Sequence, residues 1–95
     1  MTEALSKGAE RVAEIRRRLV AAFEPTALEV NDDSHRHVGH EGARDGRGHF
    51  SVAITAPAFA GKKPLERHRM VYGALGEMME TDIHALSIAA RAPGE

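Results

Sequence analysis

His49-Phe50-Ser51-Val52-Ala53-Ile54-Thr55 is the stretch that decides the fold. Phe50, Val52 and Ile54 fall on every second position, the pattern of a half-buried strand, and Pro57 closes it. Upstream, Ala27-Leu28-Glu29-Val30-Asn31 alternates in the same way, with Leu28 and Val30 inward. Downstream, Asp82 to Ala90 reads as a third strand on which His84, Leu86 and Ile88 share a face, leaving His84 half exposed. Helical spacing surrounds these strands. Leu5, Ala9, Val12, Ile15, Leu19 and Phe23 recur every three or four positions from about Glu3 to Glu24, where Pro25 ends the helix. After a turn over 58–63, Pro64 opens a second helical region to about Glu80, with Leu65, Tyr72, Leu75 and Met79 as its apolar stripe, widened by Val71 and Met78. That region is either one helix or two. The first two strands can pair antiparallel, whereas the helical crossover requires the second and third to run parallel if they are neighbours. The expectation is an α+β, two-layer sandwich: a three-stranded mixed sheet with one face covered by helices.

The chain's 95 residues suit one domain, 1–95. Hydrophobic residues make up 42% and charged residues 28%, ordinary values for a globular protein, and no run approaches a membrane span. Met1 to Lys7 lacks the basic start and apolar stretch of a secretion signal, so a cytoplasmic protein without membrane contact is expected. There is no cysteine, which excludes disulfides and thiolate nucleophiles and means that any sulfur ligand must come from a partner. There is no Gly-x-Ser-x-Gly elbow, and Gly61-Lys62 lacks the preceding glycine of a phosphate loop. Catalysis is not expected.

Two features stand out. Asp32 to Gly48 has no apolar periodicity, holds four of the nine glycines, and carries His35, His37 and His40, with His49 just beyond. A polar connection of this length inside a small domain points to function or to disorder. In an extended chain His35 and His37 point the same way and can approach one metal, with His84 as a distant further ligand. Equally, the segment fits a solvated loop, and His84 fits an imidazole capped by a backbone carbonyl. The second feature is Lys62, Lys63, Arg67 and Arg69 against Glu66 alone, within a chain of net charge −1. These donors suit phosphates, or else a face salt-bridged to Glu29, Asp32 or Asp33.

Taken together, Phe59-x-Gly61-Lys62, Arg67-His68-Arg69-Met70-Val71-Tyr72 and Ile83-His84-Ala85-Leu86-Ser87-Ile88 resemble the BolA family. Leu28-Glu29-Val30-x-Asp32-Asp33-Ser34-His35-x-His37 and His49-Phe50-x-Val52 extend the likeness over nearly the whole chain, from about Val12 to Ile88. The resemblance implies an αββααβ, class II KH-like fold. It also implies an adaptor that pairs with a monothiol glutaredoxin and shares a bridging [2Fe–2S] cluster in iron–sulfur maturation or iron regulation. The isolated chain would hold no cofactor of its own and be a monomer when free.

Carried onto this chain, the family's ligands fall at His84, in the His84-Ala85 dipeptide, and at His37, with His35 and His40 as substitutes. A glutaredoxin cysteine and glutathione would supply the sulfur to the other iron. Two histidines on one iron raise the potential above all-cysteine ligation, and because neutral imidazole binds, acid should weaken the complex. The alternative that the resemblance implies is a DNA-binding transcriptional regulator of stress response and cell morphology. That reading uses Lys62, Lys63, Arg67 and Arg69 on duplex DNA, for which four phosphate contacts would give a salt slope of about −3.6. The segment Phe59-Ala60-Gly61-Lys62 has one glycine where KH folds have Gly-x-x-Gly, which argues against KH-style capture of single strands.

Overall fold

A computed structural model describes residues 7–34 and 48–95. The elements are α1 (Lys7–Phe23), β1 (Ala27–Asp32), β2 (Gly48–Thr55), a 3-10 turn (Pro57–Phe59), α2 (Pro64–Leu75), α3 (Met78–Thr81) and β3 (Ile83–Arg91). β2 is central, antiparallel to β1 and parallel to β3, as the crossover requires. The order αββααβ and the mixed three-stranded sheet agree with the expected fold.

The buried face of β2 is Phe50, Val52 and Ile54. Against it pack Ile15 and Leu19 of α1, Val71 and Leu75 of α2, Met78 of α3, Ile83 of β3, and Phe59 from the 3-10 turn. The Phe59 ring lies 5.0 Å from that of Phe23. Arginines of α1 fasten this layer at its ends. Arg11 pairs with Asp82 at 3.0 Å, and Arg18 donates to the Leu75 carbonyl at the end of α2 at 2.6 Å. That carbonyl is among those a helix terminus leaves unsatisfied. Glu14 accepts from both Arg17 and Arg18, which hold its carboxyl down at about 2.

Three expectations change. The stripe of the second helical region is displaced, because Leu65 is 61% and Tyr72 40% exposed whereas Val71, Leu75 and Met78 are buried. Val71, Leu75 and Met78 follow one another at helical spacing and form the buried row, which puts Leu65 and Tyr72, seven positions apart, on the outer face of α2. Between α2 and α3 the chain breaks at Gly76, whose positive φ of 58° suits glycine. The first helix stops one residue sooner than expected. Glu24 takes a left-handed φ of 48°, its N–H bonded to the Val20 carbonyl at 3.0 Å, and Pro25 forbids continuation. The third change concerns His84 and belongs to the site.

Candidate functional site: two histidines at the head of the parallel strands

Because β2 and β3 run parallel, their starting residues lie side by side. The Gly48 N–H bonds to the Asp82 carbonyl at 2.9 Å, tying the two strand entries together. Immediately after, the register slips: Gly48 lies opposite Ile83, but His49 lies opposite Ala85. His84 is thus the extra residue of a β-bulge, a device that re-aims a side chain. Ile83 takes the inward position, the alternation resumes at Leu86 and Ile88, and His84 turns out to solvent. A half-exposed His84 sharing the Leu86 and Ile88 face is corrected to an exposed one.

His84 lies against His49, with ring centroids 5.1 Å apart and planes inclined by 54°; the parallel pairing of the strand heads makes them neighbours. His49 is half-buried and firmly placed. Its N–H donates to Ser34 Oγ at 3.0 Å, and its carbonyl accepts from the Asp33 N–H at 2.7 Å. Ser34 is positioned in turn by its own N–H on Asp32 Oδ1 at 2.8 Å, a short Asx-type turn at the end of β1. A depression of about 220 Å³ beside the pair is lined by Asp33, His49, Phe50, Ala85, Leu86 and Ser87.

Gly48 makes this packing possible. A Cβ there would lie 2.7 Å from Ser34 Oγ and 2.8 Å from the Phe50 ring. Gly48→Ala should therefore displace Ser34 or Phe50 and cost about 1–3 kcal/mol, as overpacking does. Thermal melts should fall by about 4–8 °C per kcal/mol, with altered histidine ring resonances in the NMR spectrum. An unshifted melt with unchanged rings would show that the close approach does not matter.

His35, His37 and His40 lie outside the described residues. Among the described residues, no group of three or more histidine, aspartate or glutamate side chains converges as a metal site. His49, counted in the sequence only as part of a His-rich region, is the residue the structure adds. The available signal was topological: histidines at the heads of two strands that must pair parallel.

The basic segment does not act as a unit. Lys62, Lys63 and Arg69 are exposed. The Arg67 side chain is only 13% exposed and is engaged by its own chain. Its guanidinium donates to the Lys62 carbonyl, the Ala90 carbonyl and, through both Nη atoms, the carboxylate of Glu95 at 2.7 Å. The acid facing Arg67 is Glu95, not Glu29, Asp32 or Asp33.

These hydrogen bonds from Arg67, with a further one from the Ala92 N–H, hold the Glu95 carboxyl at about 2 against its ordinary 4.5. A depressed carboxyl stabilises the fold above its ordinary value and loses that contribution as pH falls through the folded one. Melting temperatures of the natural chain and Glu95→Gln should therefore differ at neutral pH and converge between about 4.5 and about 2. A gap that persists at the acid end would assign the difference to packing.

Likeness to known proteins gives the class. Residues 19–95 match the profile of the family described as BolA-like protein, and the chain belongs to that family. It is 42% identical over 79 residues to the DNA-binding transcriptional regulator BolA of Escherichia coli (strain K12), covering 83% of this chain and 70% of that one. It is 41% identical over 86 residues to SufE-like protein 1, chloroplastic/mitochondrial, of Arabidopsis thaliana. That match covers 85% of this chain but only 23% of the relative's length. Among solved structures, BolA1 from Arabidopsis thaliana superposes with a TM-score of 0.76 at 36% identity, covering 90% of this chain and 94% of that one.

Proposed function

We propose that the chain is a BolA-like adaptor that binds a monothiol glutaredoxin and completes the coordination of a [2Fe–2S] cluster the two proteins share. The observation that carries this reading is the exposed His84 beside His49. Two imidazoles on one tetrahedral metal, each about 2.0–2.1 Å from it, set their ring centres roughly 5 Å apart. The 5.1 Å separation seen here fits that requirement. The donor set fits as well. Two imidazoles and no cysteine make half a site, so sulfur ligands must come from elsewhere, as a glutaredoxin cysteine with glutathione would provide.

In this reading His84 is one ligand, and the second is His49 or His37. His37 is three residues beyond Ser34, so at most about 11 Å of extended chain separates their Cα atoms. When bound, the cluster supplies one-electron or transfer chemistry. The chain itself presents imidazoles, fixes His49 through Ser34 and Asp33, and performs no catalysis of its own. The working compartment in this reading is the cytoplasm.

The test is a titration of the chain into cluster-loaded monothiol glutaredoxin, followed by visible absorption and circular dichroism. A spectral change that saturates at one-to-one is expected. A flat titration with intact glutaredoxin would overturn the adaptor reading.

A second reading, a DNA-binding regulator, is favoured by the exposed Lys62, Lys63 and Arg69 around the start of α2 and by the function named for the Escherichia coli relative. It has fewer free cations than the sequence suggests, because Arg67 is engaged by Glu95.

A further inference from the structure

We propose that Arg67 forms a seat for a phosphate oxyanion, and that Glu95 occupies this seat as an intramolecular stand-in for the ligand. The inference goes beyond the cluster-sharing reading and uses none of its residues. The guanidinium plane is set without Glu95, since Nε donates to the Lys62 carbonyl at 2.9 Å and Nη1 to the Ala90 carbonyl at 3.0 Å. Three N–H remain, one on Nη1 and two on Nη2, and the outward edge presents one from each Nη. Both meet Glu95, through Oε1 and Oε2 at 2.7 Å, the bidentate fork in which arginine also grips phosphate.

Glu95 Oε1 takes a third donor, the Ala92 N–H at 3.1 Å, so the seat presents three N–H groups to one anion. Glu66 also stands here, accepting from the Lys63 N–H at 2.8 Å, but the four cations of the segment, Lys62, Lys63, Arg67 and Arg69, still outnumber the two carboxylates of Glu66 and Glu95. Charge therefore favours a phosphate over another carboxylate.

The stand-in is lightly held. The Glu95 side chain is 44% exposed, and its backbone is fixed by one bond, from its N–H to the Ala92 carbonyl at 3.2 Å. Gly94, at φ 90°, lies between them, a position where the chain can swing without steric cost. Opening this short turn would uncover the guanidinium edge and leave its two carbonyl supports intact. Tethered as it is, Glu95 competes at a high effective concentration, so the seat binds weakly until the turn opens.

The test follows the Arg67 Nε–Hε resonance by NMR while inorganic phosphate, and separately a short DNA duplex, is added to the full chain, to Glu95→Ala and to Glu95→Gln. The glutamine variant keeps the side chain's shape and removes its charge. In both variants the Arg67 resonance should move saturably, with an apparent Kd roughly tenfold or more tighter than in the natural chain. Response to phosphate alone assigns the seat to a free anion, and response to the duplex assigns it to a phosphodiester backbone. If neither ligand moves Arg67 in the variants, or if all three proteins respond with the same affinity, the proposal is overturned.

Discussion

His84→Ala should abolish the one-to-one spectral change seen on titration into cluster-loaded monothiol glutaredoxin. His84 is the exposed imidazole that the bulge turns outward, and no other described residue can take its place at the head of β3. Outer-shell changes around metals already cost 10–100-fold in affinity, so losing a ligand should exceed about 100-fold. The fold should be indifferent: an exposed side chain away from the core contributes within about 0.5 kcal/mol, and the melting temperature should move by no more than about 4 °C. His49→Ala and His37→Ala, run in parallel, identify the second ligand by which one weakens the titration more. Full retention of the spectral change in His84→Ala would sink the assignment of this end of the sheet as the cluster site.

The largest effect on stability is expected from Phe59→Ala. Phe59 is fully buried, packs in the core and holds the Phe23 ring at 5.0 Å, joining the turn after β2 to the end of α1. Truncating a buried phenylalanine costs about 3–5 kcal/mol through lost transfer energy and the cavity left behind. The chain has few large side chains with which to refill that space, since it holds three phenylalanines, one tyrosine and no tryptophan. A domain of this size has a total stability of about 5–15 kcal/mol, so the loss is a large fraction of it. The melting temperature should drop by at least about 12 °C, with a matching fall in the urea midpoint and an unchanged m-value. A drop of less than about 4 °C would mean that α1 and α2 close over the gap.

The strands were legible because they bury one face only. Alternation at Phe50, Val52 and Ile54 fixes which side of β2 meets the helices, and the crossover then fixes its parallel pairing with β3. The helices were less legible where apolar residues are dense. With Val71, Tyr72, Leu75, Met78 and Met79 all available, the period alone does not select the buried row, which the fold sets at Val71, Leu75 and Met78. A bulge leaves no mark on hydropathy, so the outward turn of His84 is not readable from spacing; its meeting with His49 is readable only through the parallel pairing of the two strand heads. Arg67 shows a related limit. Sequence identifies a cation near the start of a helix, but only the folded chain shows that an acid from the far end reaches it.

Ser34 Oγ accepts from the His49 N–H and the Asp33 N–H bonds to the His49 carbonyl, so the end of β1 grips the start of β2 at the residue beside His84. Both imidazoles are thus hung from backbone ladders, His49 from two neighbouring strands and His84 from the strand entry that Asp82 ties to Gly48. Their spacing is a property of the sheet and is fixed as soon as the three strands have paired.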